Sequence, residues 1–547
     1  MSIYKISLFF FLSFFSMQNY AQSNYLGFCY PMDKEPIITG NYGEIRPNHF
    51  HVGLDFSTDP TINLPIKSVA DGYVSRIKIS SGGYGKVLYI THPNGYVSVY
   101  AHQKKYADKI DVYTKQKQRE LKKNEIELFP TPNELIVKKG EVIGYTGNSG
   151  SSTGPHLHFE IREEKTEIPI NPLLVYDVKD NVKPMITTIG IYNTSDSTNI
   201  KLMHLEPVKN IKGELSLSKN TLLLSGNAIA MGFSGYDVSN ATTNKNNIYE
   251  VKVKLDNQMI YHHQLNNISF DNGRYVNVYS EKVNGQKMQK CFVPSCYDIA
   301  IYKNLVNDGK ILLIDTLKHS IELLVTDEKG NTNSILFYVK AKQLSGYASN
   351  SNKYNAFCDK DFKLKEDNVE IQIPRGSLVN SLYIHKRAYI KAPANGDVEL
   401  GNKDDQVIKP FKIALKIKTP LKNKESKLVM TVNDDEIGGK FDEGWLRTES
   451  KAFGAFNFKY DTIAPSIIVA NTKNKKRIAT KSIRFKITDN LSGIEDYNVY
   501  VNNIWQIAEY DAKTRMVTCY LIEALKGTDS IRIEVMDKVG NVATFND

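Results

Sequence analysis

Gly154-Pro155-His156-Leu157-His158-Phe159-Glu160-Ile161 and, a hundred residues earlier, His51-Val52-Gly53-Leu54-Asp55 decide how the first third of this chain folds. Side chains alternate across an extended strand. His156 and His158 therefore share one face, while Leu157, Phe159 and Ile161 take the other. The same spacing turns His51 and Asp55 the same way. One face carries ligand atoms and the other is apolar, the pattern of half-buried strands lining a metal site. Zinc held by two histidines and one carboxylate, with a position open to water, is a hydrolytic arrangement.

Working outward, further short pieces stand in a fixed order. They are Gly40-Asn41-Tyr42-Gly43, Val69-Ala70-Asp71-Gly72-Tyr73-Val74, Gly83-Tyr84-Gly85, Tyr100-Ala101-His102, Lys139-Gly140 with Gly144, and Ser152-Thr153 before the second motif. With the two motifs, this set resembles the lysostaphin/LytM-type zinc metallopeptidases, which cut peptide cross-links in bacterial cell walls. The resemblance runs from about Gly40 to about Asn171. It implies one zinc per chain, held by His51, Asp55 and His158. It implies that His102 and His156 are catalytic without being ligands. All five positions are filled, so the resemblance implies an active enzyme. The implied partner is a peptide of peptidoglycan, with a D-alanyl–diaminopimelate cross-link as the leading substrate and a glycyl bridge as the other family substrate. One of His102 and His156 would deprotonate or orient the water and the other would stabilise the oxyanion. The sequence leaves that division open.

Six of the eleven histidines fall between His49 and His158. His49 lies two residues before His51 and can share its face. It is read as a rim residue, because the family pattern selects the His51–Asp55 pair. His92 sits at a turn and reads as structural. There is no HExxH, so a helix-borne zinc site is not supported. Gly53 lies between two ligands, where a side chain would crowd the site. Residues 147 to 154 form a polar, Gly/Ser-rich loop feeding the second motif, read as a plain hairpin loop or as a wall of a substrate groove.

Lys5 followed by the apolar run from Ile6 to Phe15, with Ala21 at a cleavage point, reads as a secretory signal peptide over residues 1 to 21. Cys29 follows Phe28 rather than a small residue, which argues against a lipid-attachment site. No second long apolar run occurs, so no transmembrane segment is expected in the mature chain. The expected location is the periplasm or cell envelope, or outside the cell. Five cysteines in 547 residues do not make a disulfide scaffold. Cys291 and Cys296 are close enough to pair, with free thiols the equal alternative. The net charge of +10 is spread along the chain. It suits an anionic wall surface or simple solubility. No nucleic-acid motif is present.

The expected fold is mainly β: an antiparallel β-sheet peptidase domain followed by several β-sandwich, immunoglobulin-like modules. The peptidase domain spans residues 22 to 175, with a helical insertion at about 104 to 132. Within it, Tyr106 to Leu128 reads as a helix ended by Pro130 and Pro132. Beyond residue 178, short alternating strands predominate. Asp180-Asn181-Val182-Lys183-Pro184 matches Asp461-Thr462-Ile463-Ala464-Pro465 at module starts. Asp327-Glu328-Lys329-Gly330-Asn331 matches Asp537-Lys538-Val539-Gly540-Asn541 near module ends. These matches delimit a module over 178–345 with insertions, a β-rich unit over 354–460, and a last module over 461–547. The modules are expected to fold on their own, to position the enzyme, and to offer surfaces for envelope proteins. The competing reading is a non-enzymatic wall-binding or amidase-activating scaffold. No ligand position is lost, which counts against it.

Overall fold

The computed structural model describes residues 26–33, 37–58, 63–196, 200–294, 297, 299–344, 355–384, 398–418, 422–470, 481–526 and 528–547. The signal-peptide reading and Cys296 lie outside them. Among the described residues the architecture is mainly β, and the sheets are antiparallel apart from one parallel pairing, of Thr221–Leu224 with Tyr338–Ala341.

The N-terminal unit is built on a nine-stranded sheet with a small three-stranded sheet beside it. Strand His156–Glu163 lies at its centre, between Leu54–Ser57 and Tyr96–Ala101. Its sequence alternation sets its two faces. Leu157, Phe159 and Ile161 are fully buried in the main core with Leu54, Phe56 and Tyr100. Burying side chains of this size stabilises by about 1.5–3 kcal/mol each, and this anchors the strand's register. That register puts His158 opposite both Asp55 and Ala101, so the two motifs and the His102 end of a third strand meet.

The helix runs only from Asp108 to Leu121, shorter than the sequence periodicity suggests. Lys122 closes it in the left-handed conformation, with φ 50° and ψ 46°. The chain then returns as strand Ile126–Leu128, which pairs with Gly72–Ile79 at the sheet edge. Ile126 and Leu128 read as helix positions in the sequence but pack as an edge strand.

Three two-sheet units follow. A seven-stranded and a six-stranded sheet share one core, in which Ile191 and Phe233 meet Val251 and Phe337. A five-stranded and a four-stranded sheet share another, around Phe411 and Phe456. Two four-stranded sheets share the last, around Phe485 and Ile533. Cys291 is a buried free thiol, so it does not pair with Cys296, and Cys358 is disulfide-bonded.

The units are not separate in packing. Tyr42, Ile45, Phe50 and Val52 of the N-terminal unit form one cluster with Leu265, Tyr275 and Tyr279 of the second and Val379 and Ile408 of the third. The last module also returns to the N-terminal unit. Its Lys86–Glu509 ion pair is 2.6 Å, and Asn124 bonds the backbone of Tyr497 and Ala508 at 2.7 and 2.8 Å.

Candidate metal and catalytic centre

His51 Nε2, Asp55 Oδ1 and His158 Nδ1 form a triangle with edges of 2.9 to 3.0 Å. All three residues are buried. The hydrogen bonds behind the rings fix what faces inward. His51 Nδ1 is 2.8 Å from the Asn41 carbonyl, which can only accept, so that nitrogen carries the proton. His158 Nε2 is 2.8 Å from the Glu160 carboxylate, and carries the proton likewise. Two lone pairs and a carboxylate oxygen therefore point into one small space. Such a set needs a cation, and two imidazoles with one carboxylate suit zinc. The residues fit the metal that the family pattern implies. In its absence a proton would fill the role. Burial opposes a charge on His158, but Asp55 and Glu160 outweigh it and draw its pKa up to about 9. Burial likewise opposes charge on Asp55, yet His51, His156 and His158 hold its carboxyl well below the usual range.

The support behind the triangle is charged and closed. Glu160 is fully buried and receives Arg162 Nε at 2.7 Å and the Tyr84 hydroxyl. Burial raises its pKa, but the Arg162 guanidinium and His158 bring it down to about 2. Tyr84 also stacks on His158, with centroids 5.2 Å apart. Arg46 pairs with the second oxygen of Asp55 and, at 3.0 Å, with Glu44. Alternation along His156, His158, Glu160 and Arg162 places all four on one face. The role of Glu160 and Arg162 was thus readable from the same period that marks the histidines. Nothing local in the sequence marks Tyr84 or Arg46 as partners.

His102 and His156 stand beside the triangle, with ring centroids 4.8 Å apart. His102 has φ 59°, a left-handed turn that takes the chain off its strand. Its Nδ1 donates to the Ser149 carbonyl at 2.9 Å, leaving Nε2 as the basic atom. Burial, then repulsion from His158 and His156, pushes its pKa down to about 3. His156 Nδ1 donates to the Gly154 carbonyl at 2.8 Å. Its Nε2 lies 3.4 Å from Asp55 Oδ1 and is buried without a hydrogen-bond partner among the described residues. The other two histidines fall outside. His49 is exposed, with Nδ1 2.9 Å from the Pro47 carbonyl. His92 is buried and held by the Asp71 carbonyl at 2.9 Å and Ser98 at 2.7 Å.

A Cβ on Gly53 would come within 2.5 Å of the Phe159 carbonyl and 2.9 Å of the His158 ring. The loop of residues 147 to 154 is pinned from both sides. Gly85 packs so closely that a Cβ there would meet Ser149 at 2.4 Å. From the last module, Lys513 Nζ donates to the carbonyls of Asn148 and, at 3.1 Å, Ser152. A cavity of about 740 Å³ lies between this loop and the last module, bordered by Lys86, Gln103, Tyr497 and Tyr510.

Peptidase family M23 matches residues 49–121 and 131–172, and the Zu5-like domain family matches residues 353–461. The DD-carboxypeptidase/endopeptidase Mpg of Neisseria meningitidis serogroup B is 33% identical over 125 residues, covering 23% of this chain and 22% of that protein. The peptidoglycan DD-endopeptidase ShyB of Vibrio cholerae is 34% identical over 132 residues, covering 24% of this chain and 23% of that protein. The catalytic domain of lysostaphin from Staphylococcus simulans is 23% identical, with 25% of this chain and 90% of that chain covered and a TM-score of 0.19. The segment from residue 49 to residue 172 belongs to peptidase family M23, the lysostaphin/LytM-type family. The chain spans less than a quarter of the length of these two curated relatives.

Proposed function

We propose that this chain is an exported zinc metalloendopeptidase that hydrolyses peptide cross-links of bacterial peptidoglycan. The observation that carries the reading is the triangle of His51 Nε2, Asp55 Oδ1 and His158 Nδ1, with two further histidines at its open side. The relatives named for endopeptidase activity supply the substrate class. Export follows from the N-terminal signal-like segment and from the location of the substrate. Among the described residues, no helix is long and apolar enough to cross a membrane.

His51, Asp55 and His158 would hold the zinc, with Asn41 and Glu160 orienting the two rings. Bound zinc supplies a Lewis acid that polarises the scissile carbonyl and lowers the pKa of water. His102 is the general base in this scheme. Its Nδ1 is engaged by Ser149, which leaves Nε2 to take a proton. His156 is the electrophile. With its Nδ1–H given to the Gly154 carbonyl, it acts in this role as an imidazolium, the second proton on Nε2 beside Asp55 Oδ1 at 3.4 Å meeting negative charge that develops on the substrate oxygen. The proton taken at His102 can then pass to the departing amine.

The test uses soluble cross-linked muropeptide dimers. Zinc-loaded protein should split them, metal-stripped protein should not, and added zinc should restore cleavage. A zinc-loaded, folded protein that leaves both diaminopimelate and glycyl cross-links intact would overturn the reading.

A further inference from the structure

The repeated module starts and ends meet in space, and each repeat brings three aspartates together. Asp180, Asp237 and Asp327 each offer a carboxylate oxygen within 4.8 Å of the other two, and Asp461, Asp489 and Asp537 do the same. The wiring is shared. Asn331 Nδ2 donates to Asp327 Oδ2 at 2.7 Å and to the Asp180 carbonyl at 3.2 Å. Asn541 Nδ2 donates to Asp537 Oδ2 at 2.7 Å and to the Asp461 carbonyl at 2.9 Å. The backbone N–H groups of Asn331 and Asn541 bond Asp327 and Asp537 at 2.9 and 2.7 Å.

Acidic residues gathered in one place do not by themselves make a site. The first triad has more. It borders a cavity of about 30 Å³, room for a single ion, together with Asn246 and Glu328. Asn246 is 6% exposed, and its side-chain oxygen has no hydrogen-bond partner among the described residues. Asp237 is 5% exposed, and its Oδ1 is likewise unpartnered. Leaving such oxygens buried without a partner is unfavourable, and more so for a charged group. Glu328 accepts from Asn171 at 3.1 Å. Lys329, on the same wall, directs its ammonium to the Tyr176 carbonyl at 3.2 Å and to Asp177 at 3.1 Å. Burial first, then the neighbouring carboxylates, raises the pKa of Asp237 to about 9 and that of Glu328 to about 7. A divalent cation would relieve this concentration of acid.

We infer that Asp180, Asp237 and Asp327, with the Asn246 side-chain oxygen, form a calcium site at the junction of the peptidase domain and the first β-module. The donors are all hard oxygens with no imidazole or thiolate, the set that calcium takes and zinc does not favour. The site joins the first, middle and last segments of the module. Its cavity is closed from the peptidase side by Ile38, Asn41 and Leu173. Asn41 is the residue whose carbonyl holds His51, and its side chain bonds Asn247 at 2.8 and 3.0 Å. The ion thus sits beneath a strut of the catalytic centre.

The experiment uses the zinc-loaded full chain, dialysed into calcium-stripped buffer and titrated with Ca²⁺ to about 10 mM, beyond the range of extracellular calcium modules. Bound calcium is counted by equilibrium dialysis and thermal unfolding is followed in parallel. Wild type should bind calcium and melt at higher temperature with it. Asp237→Asn should bind one ion fewer per chain. Without calcium it should melt no lower than wild type, because the variant removes a buried acid. Asp180→Asn, at the partly exposed edge of the triad, should lose the same ion and serves if Asp237→Asn fails to fold. No binding and no thermal shift in wild type would overturn the inference. So would equal calcium in wild type and a folded triad variant, which would mean that protons alone satisfy these carboxylates.

Discussion

Glu160 shows how one residue sets the behaviour of another. Its carboxylate holds His158 Nε2–H at 2.8 Å and is itself locked by Arg162. Partners of this kind typically contribute 10–100-fold to metal affinity. Glu160→Gln should therefore weaken zinc binding by about that factor while leaving the fold intact, measured by competition with a chelating dye. Unchanged affinity would show that Glu160 serves only Arg162 and Tyr84. The five family positions were legible in the sequence because each lies in a short motif with fixed spacing, and the structure brings all five together. The division of labour between His102 and His156 was not. In both rings Nδ1–H is given to a backbone carbonyl, of Ser149 or of Gly154, and no residue pattern reveals such atoms.

At the scale of elements, strand alternation was the reliable signal. It assigned both faces of His156–Glu163, and the same alternation separates His262 from His263 along strand Gln258–Gln264. His262 meets Glu250 at 2.8 Å, while His263 is buried between Tyr261 and Tyr279, at 2.9 and 3.1 Å. Helix length was less legible. From residue 122 the chain keeps polar composition without Gly or Pro, so only tertiary pairing of Ile126 with Ile79 reveals the change to a strand. His263 yields a prediction about pH. Burial, and then His262, pushes its pKa down to about 3, whereas an unfolded histidine titrates near about 6.5. Between those values the unfolded chain binds the extra proton. Stability should therefore fall as pH drops from about 6.5 toward 3, by up to about 1.4 kcal/mol per unit from this ring. Urea unfolding of wild type and His263→Gln across that window should give a flatter pH dependence for the variant. Parallel curves would show that His263 is not the acid-sensitive group.

For the whole molecule, the sequence repeats marked where modules begin and end but not how they pack. Tyr42, Ile45, Phe50 and Val52 flank the ligand His51, and their partners lie more than two hundred positions away. No local pattern links them. The expectation of modules that fold alone therefore meets a core shared by three units, and cutting the chain near Pro172 would bare that cluster beside the metal site. The last module acts on the other side. Lys513 holds the carbonyls of Asn148 and Ser152, which bracket the Ser149 carbonyl that orients His102. Lys513→Ala should keep zinc and fold yet lower kcat/KM several-fold, on the order of 1 kcal/mol of transition-state stabilisation. Faster hydrogen exchange in residues 147–154 should accompany the loss. Unchanged kinetics with a loosened loop would show that the contact only fastens the module.

The central claim is that zinc at His51, Asp55 and His158, with His102 as base, breaks peptide cross-links. Its most direct test is digestion of purified sacculi by zinc-loaded wild type and by His102→Ala, with the released fragments identified by mass spectrometry. Wild type should convert cross-linked fragments to uncross-linked ones, each cut leaving one new amine and one new carboxyl group. His102→Ala should retain its zinc and be slower by at least about 100-fold. Intact cross-links after treatment with zinc-loaded wild type, or equal cutting by the variant, would contradict the account.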